Sequence, residues 1–139
     1  MVPPRTGSHG EPVLGGTIYV APGGKHMEVE HRHGETCIRL TDAPPENFCR
    51  PAADPMFRSL AKVYGRHLCA VVLTGMGSDG MHGAEAIIAA GGTVVAQDQE
   101  TSVVWGMPGA VATAGLCSAV MPLPEIAPYI RNLAMRPAA

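Results

Sequence analysis

The run Ala70-Val-Val-Leu-Thr-Gly-Met-Gly-Ser-Asp-Gly80 carries an apolar strand straight into a glycine-dense loop, and a helical pattern follows over residues 80–90. The same alternation surrounds it. Upstream, Phe57, Leu60, Ala61 and Tyr64 share one helical face, with Asp54 as N-cap, Pro55 at the first helical position and Gly65 as the stop. Downstream come a helix stop at Gly91-Gly92, a strand over 93–97 and a helix over 101–114 interrupted near Gly106-Met-Pro108. A strand over 117–121 and a terminal helix over 124–135, with Pro128 as a local defect, complete the pattern. Continuous apolar strands separated by helices predict a mostly parallel sheet with right-handed crossovers and both faces covered. This is a doubly wound, Rossmann-like α/β fold in three αβα layers. In such folds ligands sit at the carboxyl ends of strands, where residues 74–80 would lie.

The first half of the chain reads differently. Residues 16–22 form a short strand ended by Pro-Gly-Gly, and residues 27–31 and 36–40 alternate apolar and polar side chains around His33-Gly34, as a β-hairpin with one wet face does. Residues 41–53, rich in Pro, Asp and Asn, are expected as a loop that could border a site. Residues 1–15 read as a polar, disordered lead-in without a signal-peptide core. A chain of 139 residues suits one domain, here 16–139. Ten scattered basic residues and a net charge of −2 leave no footprint for nucleic acid or an anionic surface, and no apolar run is long enough for membrane insertion. Cytoplasmic residence is the default expectation. Cys37, Cys49, Cys69 and Cys117 show no C-x-x-C pair and read as reduced thiols, while His31 and His33 fit a solvated hairpin face better than a metal site. No metal and no cofactor is expected.

Residues 75–80 also spell G-x-G-x-x-G between a strand and a helix, and Asp98 closes the next strand about twenty residues later. One reading is therefore a dinucleotide-binding module, with glycine amides and a helix N-terminus for the pyrophosphate and Asp98 for the ribose. Against it, Asp79 would set a negative charge beside the pyrophosphate. Asp79 has two further readings: an N-cap for the helix that follows, aided by Ser78, or an acid that orients a catalytic base. The loop glycines favour the second, because they lose conformational entropy without packing in return and leave the backbone open to close approach. His82 reads as exposed rather than as a partner of Asp79.

Several ordered segments together resemble the chemoreceptor methylesterase family, the CheB-type protein-glutamate methylesterases. They are Tyr19-Val-Ala-Pro-Gly-Gly-Lys-His-Met27 with its hairpin, Arg50-Pro51, Asp54-Pro-Met-Phe-Arg-Ser-Leu-Ala61 and Leu73-Thr-Gly-Met-Gly-Ser-Asp-Gly80. Residues 92–97, Val103-Val-Trp-Gly-Met-Pro108 and the closing Pro-Leu-Pro-Glu-Ile continue the match. The resemblance implies a Ser-His-Asp esterase in chemotaxis signalling, acting on glutamate γ-methyl esters of chemoreceptor cytoplasmic helices, with glutamine deamidation in some relatives. It places the triad acid at Asp79 and an oxyanion-hole amide at Met76, with Thr74, Gly75, Gly77 and Gly80 as the supporting loop. The family's serine turn and histidine segment have no counterpart in these residues, nor does the receiver domain that usually precedes the esterase domain. The chain is therefore expected to be the C-terminal part of the catalytic domain, N-terminally truncated and inactive alone. A missing N-terminal half or receiver domain would be its partner, and a non-catalytic receptor-binding domain is a further alternative.

Overall fold

The structure, a computed structural model, describes residues 3–136. Among these the elements run β1 (Pro4–Thr6), β2 (Ile18–Val20), β3 (His26–Arg32), β4 (Glu35–Thr41), α1 (Ala53–Tyr64), β5 (Cys69–Val72), α2 (Met81–Ala89), β6 (Thr93–Gln97), α3 (Met107–Thr113), β7 (Ala119–Met121) and α4 (Leu123–Ala134). The expected α/β architecture is present. Strands β5, β6 and β7 form a parallel sheet in that order, with Val95 paired to Val71 on one side and Ala119 on the other. Strand β6 is central, and Val94, Val95, Ala96 and Gln97 are all buried, as a strand covered on both faces requires. Phe57 and Ala61 of α1, Ala84 and Ile87 of α2 and Val111 of α3 close over Ala70, Val72, Val94 and Ala96 as one core. Full burial of a side chain such as Ile87 contributes roughly 2 kcal/mol.

Glycines end both α2 and α1. At the end of α2, Gly91 takes φ 89°, its N–H donates to Ile88 O at 3.0 Å and that of Gly92 donates to Ile87 O at 2.9 Å, the paired bonds of a Schellman motif. Gly65 stops α1 with φ 56°. The start of α1 is not where the sequence suggests. Its N-cap is Ala52, which has no side-chain acceptor, so Asp54 lies one residue inside the helix and its carboxylate serves another element.

The hairpin forms as expected, β3 against β4 with Arg32 opposite Glu35, and His33 (φ 51°) and Gly34 (φ 81°) supply the two positive φ angles of its turn. Residues 3–15 are not the disordered lead-in expected for 1–15. Strand β1 pairs in parallel with β2, and the chain then runs along the outer edge of β4, where Ile38 N–H donates to Glu11 O at 2.9 Å and Val13 N–H to Thr36 O at 2.8 Å. That edge has backbone donors and acceptors that β3 leaves unpaired, and this tertiary demand carries no local sequence pattern. Met1 and Val2 lie outside the described residues. The expected helix over 101–114 is present only from Met107. Over 98–105 the backbone instead bonds to Asp98 and to the loop after β5: Thr101 N–H donates to Asp98 Oδ1 at 2.9 Å and Gly75 N–H to Val104 O at 3.0 Å.

Residues 41–53 form an ordered loop held by two side chains. His26 is fully buried; its Nδ1 accepts the Ala52 N–H at 3.2 Å, which leaves the proton on Nε2 for Pro44 O at 2.9 Å. Arg50 donates to the carbonyls of Gly24, Asp42 and Ala43. The loop's path is thereby set toward the end of β5.

Candidate active site

Strand β5 ends in the loop Thr74–Gly80, which is held from two sides. On the first side, buried Gln97 accepts the Thr74 N–H at 2.7 Å, and its amide donates to Thr101 O at 2.8 Å. Thr74 Oγ1 donates to Val104 O and accepts the Val104 N–H, Met107 N–H donates to Gly75 O at 2.9 Å, and Trp105 Nε1 donates to Gln97 O at 2.9 Å. A glycine is required at 106: a Cβ there would stand 2.9 Å from Gly75 O, Gly77 N and Gly77 O, all backbone atoms. Gly106→Ala is expected to displace the 75–77 backbone at a cost of about 2 kcal/mol. Amide NMR checks it: resonances of Met76 and Gly77 should move while those of Ala53 and Asp54 stay, and an unmoved loop would contradict the contact. Met76 projects from this loop 82% exposed, and among the described residues its N–H has no acceptor.

On the second side stands Asp79. Its Oδ2 accepts the Ala53 N–H at 2.6 Å, and its Oδ1 accepts the Asp54 N–H at 3.1 Å and Asn47 Nδ2 at 2.9 Å. Asp79 thus satisfies the open amides of α1, not those of the helix that follows it. Asp54 returns the favour: its buried Oδ1 accepts Gly80 N–H at 3.0 Å and Gly83 N–H at 2.7 Å, the open amides of α2, and its Oδ2 accepts Asn47 Nδ2 at 2.8 Å. The two helices exchange N-terminal carboxylates, and each negative charge lies at a positive helix end. Ser78 makes no cap for α2, and His82 is exposed, 4.0 Å from Glu85.

The same geometry weighs against the dinucleotide reading. The amides of Gly80 and Gly83, at the helix N-terminus that would face a pyrophosphate, are already bound to the Asp54 carboxylate, and Asp98 Oδ1 already accepts Thr101 N–H and Oγ1 at 2.9 and 2.6 Å. Around the site Glu46 accepts from Arg58 at 2.6 Å; that bond draws its carboxyl below the ordinary carboxylate range, with partial burial and the Asp79 charge acting the other way. Burial pushes the Cys69 and Cys117 thiols up, which makes them poor nucleophiles. Among the described residues no three His, Cys, Asp or Glu side chains gather as metal ligands, and no helix is long and apolar enough to cross a membrane.

Of the residues singled out from sequence, Thr74, Gly75, Met76, Gly77, Asp79 and Gly80 stay together in one loop at the end of β5. Asn47, Asp54 and Gln97, which hold that loop, carried no local signal for the part they play, although the Pro-rich loop does border the site.

The fold and the loop define a class: an α/β domain with parallel strands and a glycine-dense loop at a strand's carboxyl end. Residues 2–130 match the CheB methylesterase family, and the chain belongs to that family. It is 60% identical over 132 residues to the protein-glutamate methylesterase/protein-glutamine glutaminase 1 of Paramagnetospirillum magneticum, covering 95% of this chain and 35% of that protein. To the protein-glutamate methylesterase/protein-glutamine glutaminase of group 2 operon of Rhodospirillum centenum it is 58% identical, covering 94% of this chain and 33% of that one. The chain therefore spans about a third of the length of these relatives. The crystal structure of the Thermotoga maritima CheB methylesterase catalytic domain superposes with a TM-score of 0.90 at 37% identity, covering 93% of this chain and 68% of that domain.

Proposed function

We propose that this chain supplies the orienting acid and the oxyanion backbone of a protein-glutamate methylesterase, a hydrolase of glutamate γ-methyl esters on chemoreceptor helices, with glutamine deamidation as a related activity. In this reading a serine attacks the ester carbonyl and a histidine takes its proton. The Asp79 carboxylate holds the imidazole in the required tautomer, and the Met76 N–H stabilises the oxyanion. The serine and histidine come from outside these 139 residues, either from an upstream segment of the same polypeptide or from a separate one. Membership in the methylesterase family supports the reaction class. The observation that carries the role of Asp79 is its three-donor cradle, which immobilises the carboxylate and leaves one acceptor position of Oδ2 unfilled by the described residues.

The edges of the sheets agree with a contribution from elsewhere. Among the described residues β5 pairs only with β6 and β2 only with β1, and Ile18, Val20 and Leu73 are exposed. Methanol release from methylated receptor tests the proposal. The chain alone should release none above background, and the chain joined to the amino-terminal part of a relative's catalytic domain should restore release. In that joined protein Asp79→Asn should lower kcat by about 10⁴-fold, because the imidazole would face a donor in place of an acceptor. Release by the isolated chain, or full activity of Asp79→Asn, would refute it.

A further inference from the structure

One amide holds both carboxylates of the exchanged helix ends. Asn47 Nδ2 donates one hydrogen to Asp79 Oδ1 at 2.9 Å and the other to Asp54 Oδ2 at 2.8 Å. The opposite orientation would set a carbonyl oxygen against two carboxylate oxygens, so the assignment of nitrogen to this side follows from charge. Asn47 is itself held. With Phe48 it forms a two-residue turn at φ 53° and 64°, closed by Glu46 N–H to Cys49 O at 3.0 Å and Cys49 N–H to Glu46 O at 2.9 Å. Asparagine is among the few side chains that accept this left-handed backbone readily. The turn is tied to α1 by the bond between Glu46 and Arg58 at 2.6 Å.

Each carboxylate oxygen takes two hydrogen bonds in plane. Asp79 Oδ1 is filled by Asn47 and Asp54, the latter at 3.1 Å, the longest of the set, whereas Oδ2 has only Ala53. Resting on the reading of Asp79 as the orienting acid, we propose that Asn47 is a positioning residue that saturates Oδ1 and so presents Oδ2 of Asp79 to the N–H of the histidine. Without the amide, Oδ1 keeps only its weakest contact, the Asp54 N–H at 3.1 Å, beside the Ala53 bond on Oδ2, so the carboxylate is held less firmly in its plane and its orientation toward the donor loosens. Asn47 is exposed and lies outside the apolar core, so the effect of its removal falls on the two carboxylates it holds, Asp79 and Asp54.

Two measurements on Asn47→Gly, which keeps the left-handed backbone accessible, test this. In the chain itself, hydrogen exchange should show the Ala53 and Asp54 amides losing protection by roughly tenfold or more, while Ala84 and Ile87 keep theirs. In the joined, active protein, kcat should fall by roughly a hundredfold with KM unchanged. Asn47→Asp, isosteric but with a third carboxylate facing two others, should fall further, and it carries the same comparison if the glycine variant does not fold. Unchanged amide protection together with unchanged kcat overturns the proposal, as does a kcat loss accompanied by general loss of protection. If Asp79→Asn is fully active, it is the reading of Asp79 that fails, and the exchange measurement still decides whether Asn47 orients its carboxylate.

Discussion

Asp54→Ala is expected to lower the free energy of unfolding by about 3 kcal/mol, read as a lower urea midpoint with an unchanged m-value. The carboxylate is 2% exposed and accepts three donors, from Gly80, Gly83 and Asn47. Hydrogen bonds to a charged group each contribute roughly 1.5–3 kcal/mol, and two of the three donors are amides at the start of a helix with no other acceptor. The alanine variant leaves them buried and unpaired. Asp54→Asn should be little better: an amide that keeps its oxygen on Gly80 and Gly83 turns its nitrogen against Asn47 Nδ2, donor to donor. A loss below about 1 kcal/mol for the alanine variant would mean that water replaces the carboxylate without penalty, and the exchange of helix caps would then have no energetic weight.

Gly83→Ala sets two effects of opposite sign against each other. In a solvated helix interior the change stabilises by about 1 kcal/mol, because glycine is the more flexible residue. Here the new Cβ would stand 2.5 Å from Phe57 Cβ and 3.1 Å from Asp54 Cα and O. None of these atoms is the free end of a side chain, so relief requires α1 and α2 to move apart, and with them Phe57 and the carboxylate that caps α2. Overpacking of this kind costs typically 1–3 kcal/mol and more against backbone, so the steric effect wins and a net loss of about 3 kcal/mol is expected by thermal or urea unfolding. A variant more stable than the parent would show that the helices do not meet this closely.

The same pair of helices shows how far residues reveal their own arrangement. The face of α1 through Phe57 and Ala61 follows from their spacing, and the end of α2 follows from Gly91-Gly92, since both depend on residues a turn apart. Strand β6 emerges within its expected bounds because an apolar run between turn signals has few other folded uses. The hairpin turn at His33-Gly34 is equally local. The path of residues 3–13 is not, because its partners lie on strands far along the chain, nor is the loss of helix over 101–106, where local bonds to Asp98 combine with bonds from Val104 to the distant loop after β5.

At the site the division is sharper. Composition and order place a glycine-dense loop with one acid at the end of a parallel strand, and that much is written locally, because β-strand, turn and helix each depend on neighbours within a few residues. Which helix Asp79 caps is another matter. The local rule assigns it to α2, which it immediately precedes; the folded chain assigns it to α1, more than twenty residues upstream, and gives α2 to Asp54 in exchange. Helix ends leave amides that accept any carboxylate the packing brings near, and the strength of that bond does not depend on sequence distance. Periodicity could therefore find the acid and its loop, while its partners, Asn47 among them, exist only once α1 and α2 lie side by side.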